Sequence, residues 1–293
     1  MRAFVQWVLK RRYRLVLLAI AFAPIPIFFF VTTALLTLET IRRGGLQGSY
    51  SALAGTVGIL AVALISGADS RALVTVGLLA LYAGVALGVL VRRTDSLALA
   101  FQGSLLVCVV AVIGANVLWP DPGVLIGDEF AQLVETFRAS GATEDQLAIM
   151  RGWDAVFFGV AGAAVFSELT AALLLGYWWS SFGGADGRFG LQFRMLRLGR
   201  VLGIPATLLM AGSLVLDVPL VQNLFPLALL GFWFQGLAVS HAWARAKRWH
   251  PTVLGTAYVL LITPLTGLVL LAMGSVGLVD NWVDLRAPLH PLT

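Results

Sequence analysis

The sequence predicts an all-α, polytopic helix bundle embedded in a membrane, and three observations carry that prediction. Of 293 residues, 59% are hydrophobic and 12% charged, about half the charged share of a soluble domain. The apolar residues gather in runs at about 15–39, 50–66, 72–91, 97–119, 155–178, 201–216, 220–242 and 252–278. At 1.5 Å per residue most of these can cross a ~30 Å hydrocarbon core. The basic residues stand in short clusters at the ends of the runs, as cytoplasmic membrane anchors do. The longest interval outside an apolar run, 119–154, is too short for an independent soluble domain. One membrane domain over 1–293 is therefore expected, with about seven full spans plus a first run that is broken or kinked.

Residues 1–14 mix Arg2, Lys10, Arg11, Arg12 and Arg14 with Phe4, Val5, Trp7 and Val8, the make-up of an amphipathic helix at the cytoplasmic interface. The segment resembles a signal peptide, but the run after Arg14 is long and lacks a small-x-small cleavage site, so it reads as retained. Within the first run, Pro24 and Pro26 each remove a backbone donor and break the helix. Either 15–23 enters the membrane and 27–41 returns, as a re-entrant pair covered by protein, or 15–39 is one proline-kinked span with the N-terminus outside. The runs at 50–66 and 201–216 are short and must stand upright or thin the bilayer.

Charge orients the chain. Segment 119–154 carries Asp121, Asp128, Glu129, Glu135, Glu144, Asp145 and Asp154 against Arg138 and Arg151, whereas the next loop, 183–200, holds Arg188, Arg194, Arg197 and Arg200. Placing the acidic segment in the periplasm, with a re-entrant first run, leaves only Arg71, Arg138, Arg151 and Arg286 outside. Inside the acidic segment, Phe130, Leu133, Val134 and Phe137 predict a helix over 128–139, broken at Ser140-Gly141. Thr143-Glu144-Asp145-Gln146 is a capping-box pattern opening a second short helix through Leu147, Met150 and Arg151. The pair is a lid or an interface-bound connector. At the other end, Gly274-Ser275-Val276-Gly277 reads as the close of the last span, and parity puts the tail from Val279 outside, with Trp282 as its anchor.

Glu168, deep in the 155–178 run, is the main chemical feature, because an intramembrane carboxylate usually faces a bundle interior or water and has a partner. By depth, Gln235 and Gln102 can meet it, together with Ser167, Thr170 and Ser104. The cluster reads either as a proton, cation or solute site, or as a neutral Glu168 hydrogen-bonded to Gln235 or a carbonyl and holding helices together. His241 reads as an interfacial histidine and Tyr177, Trp178 and Trp179 as an inner aromatic belt. Phe232, Trp233 and Phe234 read as packing residues. Gln222, Asn223 and Asn116 fit an outer polar pocket or plain helix-end hydrogen bonding. Ala19-x3-Ala23 and Gly159-x2-Gly162 allow close helix approach. The single cysteine and three histidines exclude a disulfide framework and a metal cluster. No phosphate-binding loop, His-Glu-x-x-His or Gly-x-Ser-x-Gly is present, so the chain is not expected to be an enzyme or to need a cofactor. Its positive charge serves anchoring rather than nucleic acid.

Three segments carry a resemblance. Tyr177-Trp178-Trp179 with Gly187-Arg188-Phe189-Gly190-Leu191-Gln192-Phe193-Arg194-Met195-Leu196-Arg197-Leu198, the stretch Gly231 to His241, and Gly277 to Arg286 together resemble the YybS-like family of predicted bacterial membrane proteins. That family has no assigned activity. It is distantly similar to the substrate-binding membrane components of energy-coupling-factor vitamin transporters. The resemblance implies a small-molecule binder of the bacterial inner membrane that hands its solute inward with separate ATPase and coupling subunits, docked on Ala19-x3-Ala23. A scaffold or assembly factor for other membrane proteins is the alternative, with the arginines of 183–200 as its contact surface.

Overall fold

The computed structural model describes residues 1–23, 25, 28–66, 71–182 and 188–292. The apolar runs fold as α-helices, since in hydrocarbon a helix pairs its backbone groups within one segment. In order these are α1 (Arg2–Lys10), α2 (Arg12–Phe22), α3 (Phe29–Arg43), α4 (Gly45–Ser66), α5 (Arg71–Thr94), α6 (Leu97–Leu118) and α7 (Gly123–Ala139). There follow α8 (Glu144–Arg151), α9 (Phe157–Ser181), α10 (Arg188–Arg194), α11 (Gly199–Ser213), α12 (Pro219–Ala246), α13 (Pro251–Leu260) and α14 (Thr266–Val283). Among the described residues, α4, α5, α6, α9, α12 and α14 are long and apolar enough to cross a membrane. The chain divides into two units, Met1–Ser104 with Ser167–Leu196, and Leu105–Phe166 with Arg197–Thr293.

The first unit is built around α3, in which every residue from Thr32 to Thr40 is buried. Helices without bulk let it be enclosed. On α5, Gly84-x3-Gly88 lies against α3 so closely that a Cβ at Gly84 would stand 2.5 Å from the Thr33 carbonyl oxygen. On α9, a Cβ at Gly176 would meet Ala34 O at 2.8 Å. Thr37 Oγ1 donates to Thr33 O at 2.8 Å and to Gly84 O at 3.2 Å, so its hydroxyl ties α3 to α5.

The first apolar run folds back on itself. Helix α2 stops at Phe22 and α3 starts at Phe29, and Thr32 Oγ1 donates to Ala19 O at 3.1 Å, which one continuous helix could not allow over 13 residues. Arg43 donates to the Leu9 carbonyl and Arg12 to Gln47, so both ends of this hairpin come to the same end of the unit. A single kinked span is thereby ruled out. Pro24 and Pro26, the expected cause, lie outside the described residues. Ala19 and Ala23 are fully buried in the unit's core, so they form no open docking face.

In the second unit α12 is the buried element, and α14 runs parallel to it. The contact is backbone on backbone: a Cβ at Gly277 would stand 1.9 Å from Phe232 O, and one at Gly236 1.9 Å from Met273 O. The glycines at 274–277 are therefore a packing face inside α14 and not its end, because absent side chains matter there for approach and not for a turn. The run 252–278 is two helices, not one span. Pro264 cannot donate a backbone N–H, and Thr266 Oγ1 donates to Leu261 O at 2.8 Å across the break. At ten residues, roughly 15 Å, α13 covers about half a hydrocarbon core. The tail after α14 consequently returns to the end where α12 finishes: Trp243 Nε1 donates to Leu285 O at 3.2 Å and Arg197 to Asp284 at 2.5 Å. The parity argument, which sets the tail on the side opposite Arg197, fails for this reason.

The two short helices of the acidic segment form as expected, with α7 starting earlier, at Gly123. The capping box closes in both directions, Gln146 Oε1 accepting from Thr143 N at 2.9 Å and Thr143 Oγ1 from Gln146 N at 3.4 Å. Phe130 and Val134 pack on Leu147 and Met150, leaving Leu133 and Phe137 exposed.

Candidate functional site

The residues grouped with Glu168 do not all fall in one unit. Glu168, Ser167, Thr170, Gln102 and Ser104 belong to the first, and Gln235 to the second. Glu168 is half-buried and has no hydrogen bond or ion pair among the described residues. Thr170, fully buried, leaves its hydroxyl without a partner. Ser104 donates to Phe101 O at 2.8 Å on its own helix. Gln235 is fully buried and its amide is engaged at both ends within its own unit: Oε1 accepts from Leu198 N at 2.9 Å and Nε2 donates to Asp280 Oδ2 at 2.7 Å.

Among the described residues the fully buried carboxylates are two that sequence reasoning passed over, Glu39 and Asp280, each 0% exposed. Glu39 on α3 accepts from Arg43 Nη1 at 2.9 Å through Oε1, one helical turn on. Its Oε2 and the neighbouring Thr40 Oγ1 are buried without a partner among the described residues. A buried acceptor left without a partner costs of the order of 1–3 kcal/mol in desolvation.

Asp280 is the opposite case. Arg286 grips it twice, Nε to Oδ1 at 3.2 Å and Nη2 to Oδ2 at 2.6 Å, while Gln235 adds the third bond. Arg197 stands 3.9 Å away and pairs with Asp284, the residue that ends α14 in the left-handed conformation at φ 51°. Burial alone would raise the Asp284 carboxyl, but the Arg197 hydrogen bond and charge, with Arg286 beside it, hold it below the ordinary carboxylate range. The segments 197–198, 235 and 280–286 are thus locked into one network, which a hydrophobic reading of each run could not reveal.

Of the arginines proposed as a contact surface, Arg188 and Arg194 belong to the first unit and Arg197 and Arg200 to the second. Arg188 pairs with Asp95 at 3.1 Å, and Arg200 is exposed. Tyr177 and Trp179 are each 5% exposed, so they are interior groups rather than an open aromatic belt. Trp179 packs edge-on against Phe4 of α1. Phe232 and Phe234 are buried packing residues as expected, and His241 lies 2.7 Å from the Tyr258 hydroxyl. Asn223 is a staple within the second unit: it accepts from Gly159 N at 2.7 Å and donates to Ala155 O at 2.8 Å. Asn116 bonds its own helix at Val112 O, and Gln222 caps the chain after α11 at Ser213 O, so helix-end bonding accounts for all three. Gly159 and Gly162 do give close approach, against Asn223 and Val112. Among the described residues no three His, Cys, Asp or Glu come together to hold a metal ion. Compared with known protein families, curated proteins and solved structures, the chain matches none.

Proposed function

We propose that this chain is a non-enzymatic multi-pass protein of the bacterial inner membrane that binds a small solute in its first unit and passes it inward with partner subunits. The observation that supports this reading is Glu39, a carboxylate buried in an apolar bundle, with one oxygen unpartnered among the described residues, as is the hydroxyl of Thr40 next in the chain. An ionisable group buried in an apolar helix bundle is by default a candidate for a solute, proton or ion site. The partners that the sequence resemblance to the YybS-like family implies, through its distant similarity to energy-coupling-factor components, are separate ATPase and coupling subunits. The α2–α3 hairpin supports a cytoplasmic N-terminus, and the return of the tail supports a cytoplasmic C-terminus. Only Arg71, Arg138 and Arg151 then stay on the periplasmic side with segment 119–154, a stronger inside-positive bias than with the tail outside.

The function is tested in reconstituted protein. A vitamin and metabolite panel should raise the melting temperature of the wild type with at least one member, and Glu39→Gln should remove that shift and the matching liposome flux. Silence of the wild type across the panel and in flux would sink the proposal. Topology is read separately, in a Cys108→Ala background with Ala3→Cys or Ala287→Cys. An impermeant maleimide added outside should label neither position, and labelling of either would reverse that end.

The scaffold reading draws on a different observation. In the second unit the buried ions are matched to one another, and α7 leaves Leu133 and Phe137 exposed. A membrane partner co-purifying in fixed ratio, together with no ligand response, would favour it.

A further inference from the structure

The last turns of α3, α5 and α9, within the first unit, enclose a cleft of about 300 Å³ lined by Arg42, Arg92, Asp95, Tyr177, Ser180 and Arg188 among others. That size is at the lower end for small-ligand pockets. Part of its chemistry is helix capping. Arg42 Nη2 donates to Phe182 O at 2.6 Å and Arg92 Nη1 to Ile41 O at 2.7 Å, which satisfies carbonyls that helix ends leave over. Arg188 is held by Asp95, itself on the left-handed backbone at φ 49°.

Capping does not exhaust the site. A guanidinium carries five N–H donors, and among the described residues each of these three arginines uses one. Against three positive charges stand one aspartate and three helix C-termini worth about −0.5 each, so the balance stays positive. The second observation is the Tyr177 hydroxyl. It belongs to the lining, the residue is 5% exposed, and the oxygen has no partner among the described residues. A buried hydroxyl wants a partner, and Tyr177 shares the lining of this cleft with three cations.

We infer that this cleft binds a phosphate-bearing anion, held by the free N–H groups of Arg42, Arg92 and Arg188 and by a hydrogen bond donated from Tyr177 Oη. Planar guanidinium forks suit phosphate oxygens. The phosphate comes either from a free soluble anion or from the headgroup of an anionic lipid. The inference stands independently of whether Glu39 serves a transported solute.

The test uses the full chain in nanodiscs. In one arm the lipid is neutral phosphatidylcholine, and pyrophosphate is titrated while binding is followed by thermal shift. In the other arm phosphatidylglycerol is included, and native mass spectrometry counts the molecules retained. Wild type should bind in at least one arm. Tyr177→Phe, which removes only an unpartnered oxygen, should keep or raise the melting temperature without ligand and weaken binding roughly tenfold. Arg188→Gln, whose side chain caps no helix, should weaken it at least as much. Loss in the first arm assigns a soluble anion, and loss in the second a lipid headgroup; either supports the site. Absence of binding by the wild type in both arms, or equal binding by the wild type and both variants, overturns it.

Discussion

Glu39 and Asp280 have no exposed surface, yet their surroundings differ in kind. Asp280 meets Arg286 at both oxygens and Gln235 at one, and its partners tie the start of α11, the middle of α12 and the tail into one network. Among the described residues Glu39 has a single guanidinium, on its own helix, and its second oxygen has no hydrogen-bond partner. Burying a carboxylate costs several kcal/mol even after relaxation, and only a full set of bonds and charges repays it. A closed network of that sort holds a fold. An incomplete one is a place where something else can bind, which is why Glu39 and not Asp280 carries the functional proposal.

Isosteric amides separate the two cases. Asp280→Asn leaves Arg286, itself buried, without its counter-charge, and should cost about 3–5 kcal/mol in a detergent unfolding titration. Glu39→Gln removes one pair whose arginine reaches solvent, and should cost under ~1 kcal/mol while abolishing solute response. Equal losses from both would erase the distinction, and a larger loss at Glu39 would reverse it.

The smallest effect concerns the rim of the Asp280 network. Because the Asp284 carboxyl is held low by Arg197 and Arg286, its contribution is fully present above the ordinary carboxylate pKa. It is lost as pH falls through the lowered value, below about pH 4. Asp284→Asn, tolerated in the left-handed conformation, should flatten stability against pH in that acid range and change little at pH 7. An unchanged acid profile would show that the pair does not hold in solution.

Much of the fold was legible because hydropathy and capping are local. The runs set helices close to their expected ends, and Thr143 with Gln146 announced the start of α8. What misled was any reading that needed a partner. Gly274 and Gly277 look like a helix stop, but their lack of side chains serves the Phe232 carbonyl on another helix. Gly84-x3-Gly88, the face that lets α3 be enclosed, drew no notice beside Gly159-x2-Gly162. Glu168 stood out for its depth in an apolar run. Glu39 falls at the end of the first apolar run, next to Arg42 and Arg43, and Asp280 in the tail beyond the expected close of the last span, so neither drew a reading of its own.

By itself, then, the sequence determined an all-helical chain with enough apolar length for several membrane spans, and which ends carry positive charge. These follow from composition and periodicity along the chain. Only the tertiary structure decided that the first run folds back, that the last run is two helices, that Gln235 belongs to Asp280, and that Tyr177 faces an arginine-lined cleft. Burial and pairing are properties of what other segments bring to a side chain, and no single stretch of sequence contains them.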